Sequence, residues 1–126
     1  MKKLMITISL LLWTGASLAQ HGHGNMKGPK GGPMQDVAGV HAELVVAGNT
    51  VTINTYDESN KPTSAKGFSG SVLIVVGRNR ETVQLVMASD SSLKGEAKNP
   101  VPAGAVVTLV LKNAAGKSGM VQLDWR

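Results

Sequence analysis

The stretch GSVLIVVG, Gly70–Gly77, constrains the fold more than any other part of the chain. Apolar, mostly β-branched side chains run unbroken between two glycines, over a length that suits a strand rather than a buried helix. Val and Ile are stiff at χ1 and pack well on a pleated surface. The run is therefore expected to be a central strand covered on both faces. The rest of the chain from about Val37 follows the same grammar. Val40, Ala42, Leu44 and Val46 alternate with His41, Glu43 and Val45, which reads as a strand with one buried face. Gly48-Asn49 is a two-residue hairpin signal, and Val51, Ile53 and Thr55 continue beyond it. ETVQLVMA alternates with Val83, Leu85 and Met87 on one side, LKGEAK is a short weak strand, AVVTLVLK a strong one, and MVQLDW closes the chain.

Short strands at this spacing, with turn chemistry between them and no helical period, predict an all-β domain. The expectation is an antiparallel β-sandwich of about seven strands, immunoglobulin-like or cupredoxin-like in shape. Val72, Ile74, Leu85, Val107, Leu109 and Leu123 are its expected core. Met87 and Met120 read as core side chains rather than ligands, and Trp125 as a lid on the core at the chain end.

Composition shifts sharply before this domain. Lys2 and Lys3 precede an apolar run from Met5 to Trp13, and Ser17-Leu18-Ala19 places small residues where a signal peptidase cuts. Residues 1–19 read as a secretory signal peptide, residues 20–36 as a flexible His/Gly/Met arm, and residues 37–126 as the β-sandwich domain. The product is expected to be a periplasmic or secreted monomer without a membrane anchor. The chain has no cysteine, so it folds without disulfides and offers a metal no thiolate. Its basic residues are scattered and its aromatics few, which argues against nucleic-acid binding. No nucleophile elbow, phosphate loop or carboxylate pair stands out, so no enzyme is expected.

The arm carries what chemistry there is. In HGHGNM, His21 and His23 are separated by one glycine, which lets both imidazoles turn toward one ion. Imidazole suits copper, zinc and nickel, and thioether sulfur favours copper(I), so Met26 and Met34 join the candidate set. His41 and Glu43 share one face of the first strand, expected to be exposed, and would form a fixed half-site. Cleavage after Ala19 would leave His21 second in the chain, where its ring, the terminal amine and the intervening amide nitrogen could chelate copper(II), unless Gln20 cyclises. The plain alternative is that a short His/Gly/Lys leader only solubilises the domain.

The segment GPKGGPMQDVAGVHAELV, Gly28–Val45, resembles a pattern of small exported proteins associated with heavy-metal resistance. It is also similar to the small β domain carried by some periplasmic adaptor subunits of metal-exporting RND efflux systems. Gly28, Pro29, Gly31, Gly32, His41 and Glu43 carry the resemblance, and the following D…KP loop and KG turn continue it. It implies metal handling, with copper as the tentative ion, zinc or nickel as others, and an efflux-system periplasmic component as a partner. Gly31 and Gly32 would then be backbone devices that turn the chain into the first strand. The long helical hairpin and lipoyl-like segments of a complete adaptor have no counterpart here. The expected function is thus a metal-binding scavenger or efflux accessory; the rival is a metal-independent interaction module that docks through an exposed strand edge.

Overall fold

The computed structural model describes residues 26–126. The signal-peptide segment, His21 and His23 lie outside the described residues. Those residues form nine strands and no helix: β1 (Met26–Lys27), β2 (Pro33–Val37), β3 (Val40–Ala47), β4 (Thr50–Tyr56), β5 (Ser69–Val76), β6 (Asn79–Ser89), β7 (Ser92–Glu96), β8 (Val106–Lys112) and β9 (Ser118–Asp124). All neighbours pair antiparallel in the order β1-β2-β3-β4-β7-β6-β5-β8-β9.

The domain is all-β, as its patterning predicts, but it is one curled half-barrel sheet rather than a clear seven-strand sandwich. Strand β6 is the reason. Its first part pairs with β5 and its last part with β7, and the register slips between Met87 and Ser89. Such an irregularity bends a strand and increases its twist, so one long strand carries both halves of the sheet around a corner. Met87, just before the slip, is 42% exposed, while its register partner Leu93 is fully buried. Met120 likewise faces outward on β9, beside Val110. Neither methionine belongs to the core.

The other departure lies upstream of Val37. Pro33–Val37 pairs with β3, Met26–Lys27 pairs with β2, and Met34 is buried, so the sheet begins inside the segment expected to be an arm.

The concave face holds the core. Ala42, Leu44, Val51, Ile53, Val72, Leu93, Val107, Leu109, Leu111 and Leu123 are all fully buried there, with Ile74, Val83 and Leu85 nearly so. All six core residues expected from the sequence are among them, and Trp125 packs against the cluster. GSVLIVVG is central, between β6 and β8, yet only Val72 and Ile74 are buried; Leu73 and Val75 face outward and stay half-buried, because no second layer covers that side.

The two ends of the curled sheet approach each other through side chains. Gln35 Nε2 donates to the Gln122 carbonyl (3.0 Å), joining β2 to β9. Asn113, in the β8–β9 turn, donates to the Ala38 carbonyl at the β2–β3 turn (3.0 Å), while its Oδ1 accepts the Ala115 and Lys117 amides. Gly119 faces Val37 closely: a Cβ there would lie 3.0 Å from the Val37 side chain. Ala38 holds φ 52°, a left-handed conformation that a non-glycine residue adopts at a cost of about 1–2 kcal/mol.

Alternation on β8 gives a paired test. Leu109→Ala should lose roughly 2–5 kcal/mol by urea denaturation. Val110→Ala, one residue on and partly exposed, should stay within about 0.5 kcal/mol of the parent. Equal losses would show that the strand faces are misassigned.

Candidate functional site

The convex face of β3 carries the candidate residues, and the β1–β2 turn folds over it. Glu43 was expected on an exposed face; its carboxylate is instead fully buried. Oε2 accepts the backbone N–H groups of Lys30 (2.9 Å) and Gly32 (2.8 Å), and Oε1 accepts the Tyr56 hydroxyl (2.8 Å). Three donors meet this carboxylate, and among the described residues no cation pairs with it. Its charge is balanced by oriented peptide and hydroxyl dipoles.

Local sequence explains how the turn reaches it. Gly31 has φ 87°, and the turn closes on itself through Gly28 N to Gly32 O (2.7 Å) and Gly31 N to Gly28 O (2.9 Å). A Cβ on Gly28 would collide with the Glu43 side chain, and one on Gly32 with the Leu44 carbonyl. The glycines therefore allow backbone to lie directly against β3. Met34, opposite Glu43 in register, is buried by the same contact. Neither Met34 nor Glu43 presents an open ligand atom, so the sequence-derived half-site of His41 with Glu43 does not form at the surface.

His41 stands two residues along the same face, beyond the turn. Its Nε2 lies 2.8 Å from Asp36 Oδ1, its register partner on β2. Its Nδ1 lies 3.2 Å from Asn60 Oδ1, in the loop after β4. Asn60 sits at φ 61°, which Asn tolerates better than most residues. Asp57 anchors that loop by accepting the Ser59 and Lys61 amides (2.8 and 3.1 Å). The Lys61 and Ser59 hydrogen bonds, helped by the charges of Lys61 and His41, hold the Asp57 carboxyl below the usual carboxylate value against a small opposing effect of burial.

Among the described residues no three His, Asp or Glu side chains are grouped to hold a metal. His41 is the one imidazole in place, with Asp36 behind it. Met26, on edge strand β1, is 43% exposed, whereas His21 and His23 fall outside the described residues. Sequence reasoning missed the roles of Tyr56, Asp36 and Asn60. Asp36 could have been found from the His41 alternation once β2 was recognised, whereas Tyr56, the register partner of His41 on the adjacent strand β4, reaches diagonally to Glu43.

No family model matches the chain, and no curated protein or solved structure is similar enough to it to indicate kinship.

Tyr56 reports on the buried carboxylate. Burial pushes its hydroxyl up to about 12, and the hydrogen bond to Glu43 and that group's negative charge push the same way. It is the only tyrosine in the chain, so its ultraviolet titration is unambiguous. The midpoint should fall near 12 rather than at the unperturbed value of ~10. Because the folded value is the higher one, this contribution to stability is complete below pH ~10 and disappears as pH rises through about 12. Glu43→Gln should lower the midpoint while leaving it above 10, since burial persists. A parent midpoint near 10 would contradict the buried arrangement.

Proposed function

We propose that this chain is an exported metal-binding protein, not an enzyme. It takes copper or another divalent ion such as zinc or nickel, and serves as a scavenger or as an accessory to a periplasmic efflux component. One observation carries the reading: an imidazole held from behind by a carboxylate. Nε2 faces Asp36 Oδ1 and Nδ1 faces Asn60 Oδ1, both acceptors, so Nδ1 becomes a ligand atom where the ring keeps its single N–H on Nε2 and Asn60 gives way. A carboxylate behind a histidine fixes the tautomer and raises the basicity of the ligating nitrogen. Asn60 is a solvent-exposed neighbour that an incoming ion can displace.

The direction of β1 adds support. Met26 is in register with Met34, and Asp36 lies two residues further along β2, opposite His41. Since β1 runs antiparallel to β2, its first residue, Met26, lies at the end of β1 nearer Asp36 and His41. His23 is three residues upstream, a reach of at most ~10 Å. Adjacent strands are ~4.8 Å apart. We infer from their nearness in sequence to Met26 that His23 and His21 join His41 at one ion, with Met26 assisting copper(I). The ligand set drawn from the sequence contracts to His21, His23, Met26 and His41; Glu43 and Met34 hold the frame. Few ligands, two of them on the chain before β1, give modest affinity and ready release, which suits handing an ion on.

Calorimetric titration with copper(II) tests this. His21→Ala with His23→Ala should remove most binding without changing the fold, and His41→Ala should weaken it less. Asp36→Asn should weaken it roughly 10-fold or more, as loss of a supporting carboxylate does. For the arm histidines ligation needs neutral imidazole, so affinity should fall as pH drops through ~6.5. Undiminished binding in the double variant would defeat the proposal; absence of any binding would favour the metal-independent docking module.

A further inference from the structure

A second candidate site lies at the other end of the β3–β4 hairpin, away from His41. The segment 97–102 between β7 and β8 crosses the mouth of the curled sheet and is tied down on both sides. Toward β6, the Lys98 amide donates to both Glu81 carboxylate oxygens (2.9 and 3.2 Å). Toward the β3–β4 turn, the Ala97 amide donates to Asn49 O (2.8 Å), Asn49 Nδ2 to Ala97 O (2.8 Å), and the Val101 amide to Gly48 O (2.9 Å). Between this strap and the end of the β5–β6 hairpin is a cleft of about 430 Å³. That volume lies within the ~300–1,000 Å³ range of small-molecule sites, and the strap's hydrogen bonds form the cleft in advance of any ligand.

Its lining is divided by chemistry. Ile74, Val76 and Val101 supply apolar surface, and Pro100 and Pro102 stiffen one wall. Arg80 and Lys98 stand at the rim, both exposed, and among the described residues neither side chain has an ion-pair partner. The one carboxylate present, Glu81, is occupied by the Lys98 amide. The rim is thus left with one net positive charge above an apolar floor.

We propose that this cleft binds a small monoanionic amphiphile, a carboxylic acid with a short hydrocarbon body. The hydrocarbon would cover half-buried Val76 and the exposed rings of Pro100 and Pro102, over the edges of Ile74 and Val101, and the carboxylate would lie between Arg80 and Lys98. A dianion such as phosphate fits less well, because its second charge would face Glu81 without a cation of its own. A neutral alcohol would bury the same apolar surface and leave both cations unanswered. The site is independent of the metal reading and shares no residue with it.

Amide NMR titration with sodium octanoate, 1-octanol and sodium acetate tests the assignment on the full chain. Octanoate should give saturable shifts confined to the amides of residues 74–81 and 97–101. Octanol should act on the same amides at lower affinity, and acetate should leave them unmoved. Arg80→Gln with Lys98→Gln, both at exposed positions, should weaken octanoate at least ~10-fold and leave octanol unchanged. The unperturbed remainder of the spectrum would verify that the variant is folded. Absence of saturable octanoate shifts, shifts scattered over the convex face, or equal octanoate affinity in the double variant would overturn the proposal.

Discussion

A carboxylate with no ion-pair partner among the described residues organises the N-terminal part of the sheet. Glu43 accepts two peptide N–H groups from the glycine-rich turn and the hydroxyl of Tyr56, and the three bonds converge on a fully buried side chain. A buried charge is tolerated only where its hydrogen bonds are complete. Removing the acceptor would strand several buried donors, each at roughly 1–3 kcal/mol. The arrangement therefore specifies one position for the turn on β3. With the turn fixed, β2 is held against β3, Met34 is buried opposite Glu43, and β1 takes its direction from its pairing with β2.

That direction links structure to the proposed chemistry. The same face of β3 that buries Glu43 presents His41 where the turn no longer covers it. Glu43 and His41 thus have separate duties two residues apart: one fastens the chain, the other is held by Asp36 at the rim with a ring nitrogen toward solvent-exposed Asn60. The opposite end of the β3–β4 hairpin has a different character. There the Gly48–Asn49 turn and Glu81 secure the 97–102 strap, and the rim is cationic over an apolar floor.

Much of the sheet was legible in the sequence, because burial on one face imposes a period of two. Strands β3 and β4 follow from that period, β5 and β8 from their apolar runs, the turns from their glycines, and the six named core residues from alternation and runs together. The single curled sheet was not legible. It depends on β6 pairing with β5 along its first part and with β7 along its last, with a register slip beyond Met87, which continues the Val83–Leu85 alternation yet is 42% exposed. Strands β1 and β2 escaped notice because MKGPKGGPMQD has no apolar period; a turn of glycine and proline holds this segment through main-chain bonds to one distant carboxylate. Gly31 and Gly32 act through the main chain, as expected of them, with Gly28 beside them, whereas Glu43 is buried where an exposed face was expected. His41 was expected on an exposed face too, but its side chain is only 16% exposed, between Asp36 and Asn60.

Copper(II) as a paramagnetic probe offers the most direct test of the central claim, that the Glu43-anchored turn brings the histidine segment to His41. Amide signals of the labelled chain are followed while copper(II) is added below one equivalent. The account predicts selective broadening at Met26, Asp36, His41 and Asn60, with residues 97–101 at the far end of the hairpin unaffected. Broadening that spares His41 and its neighbours, or that spreads evenly over the surface, would contradict it.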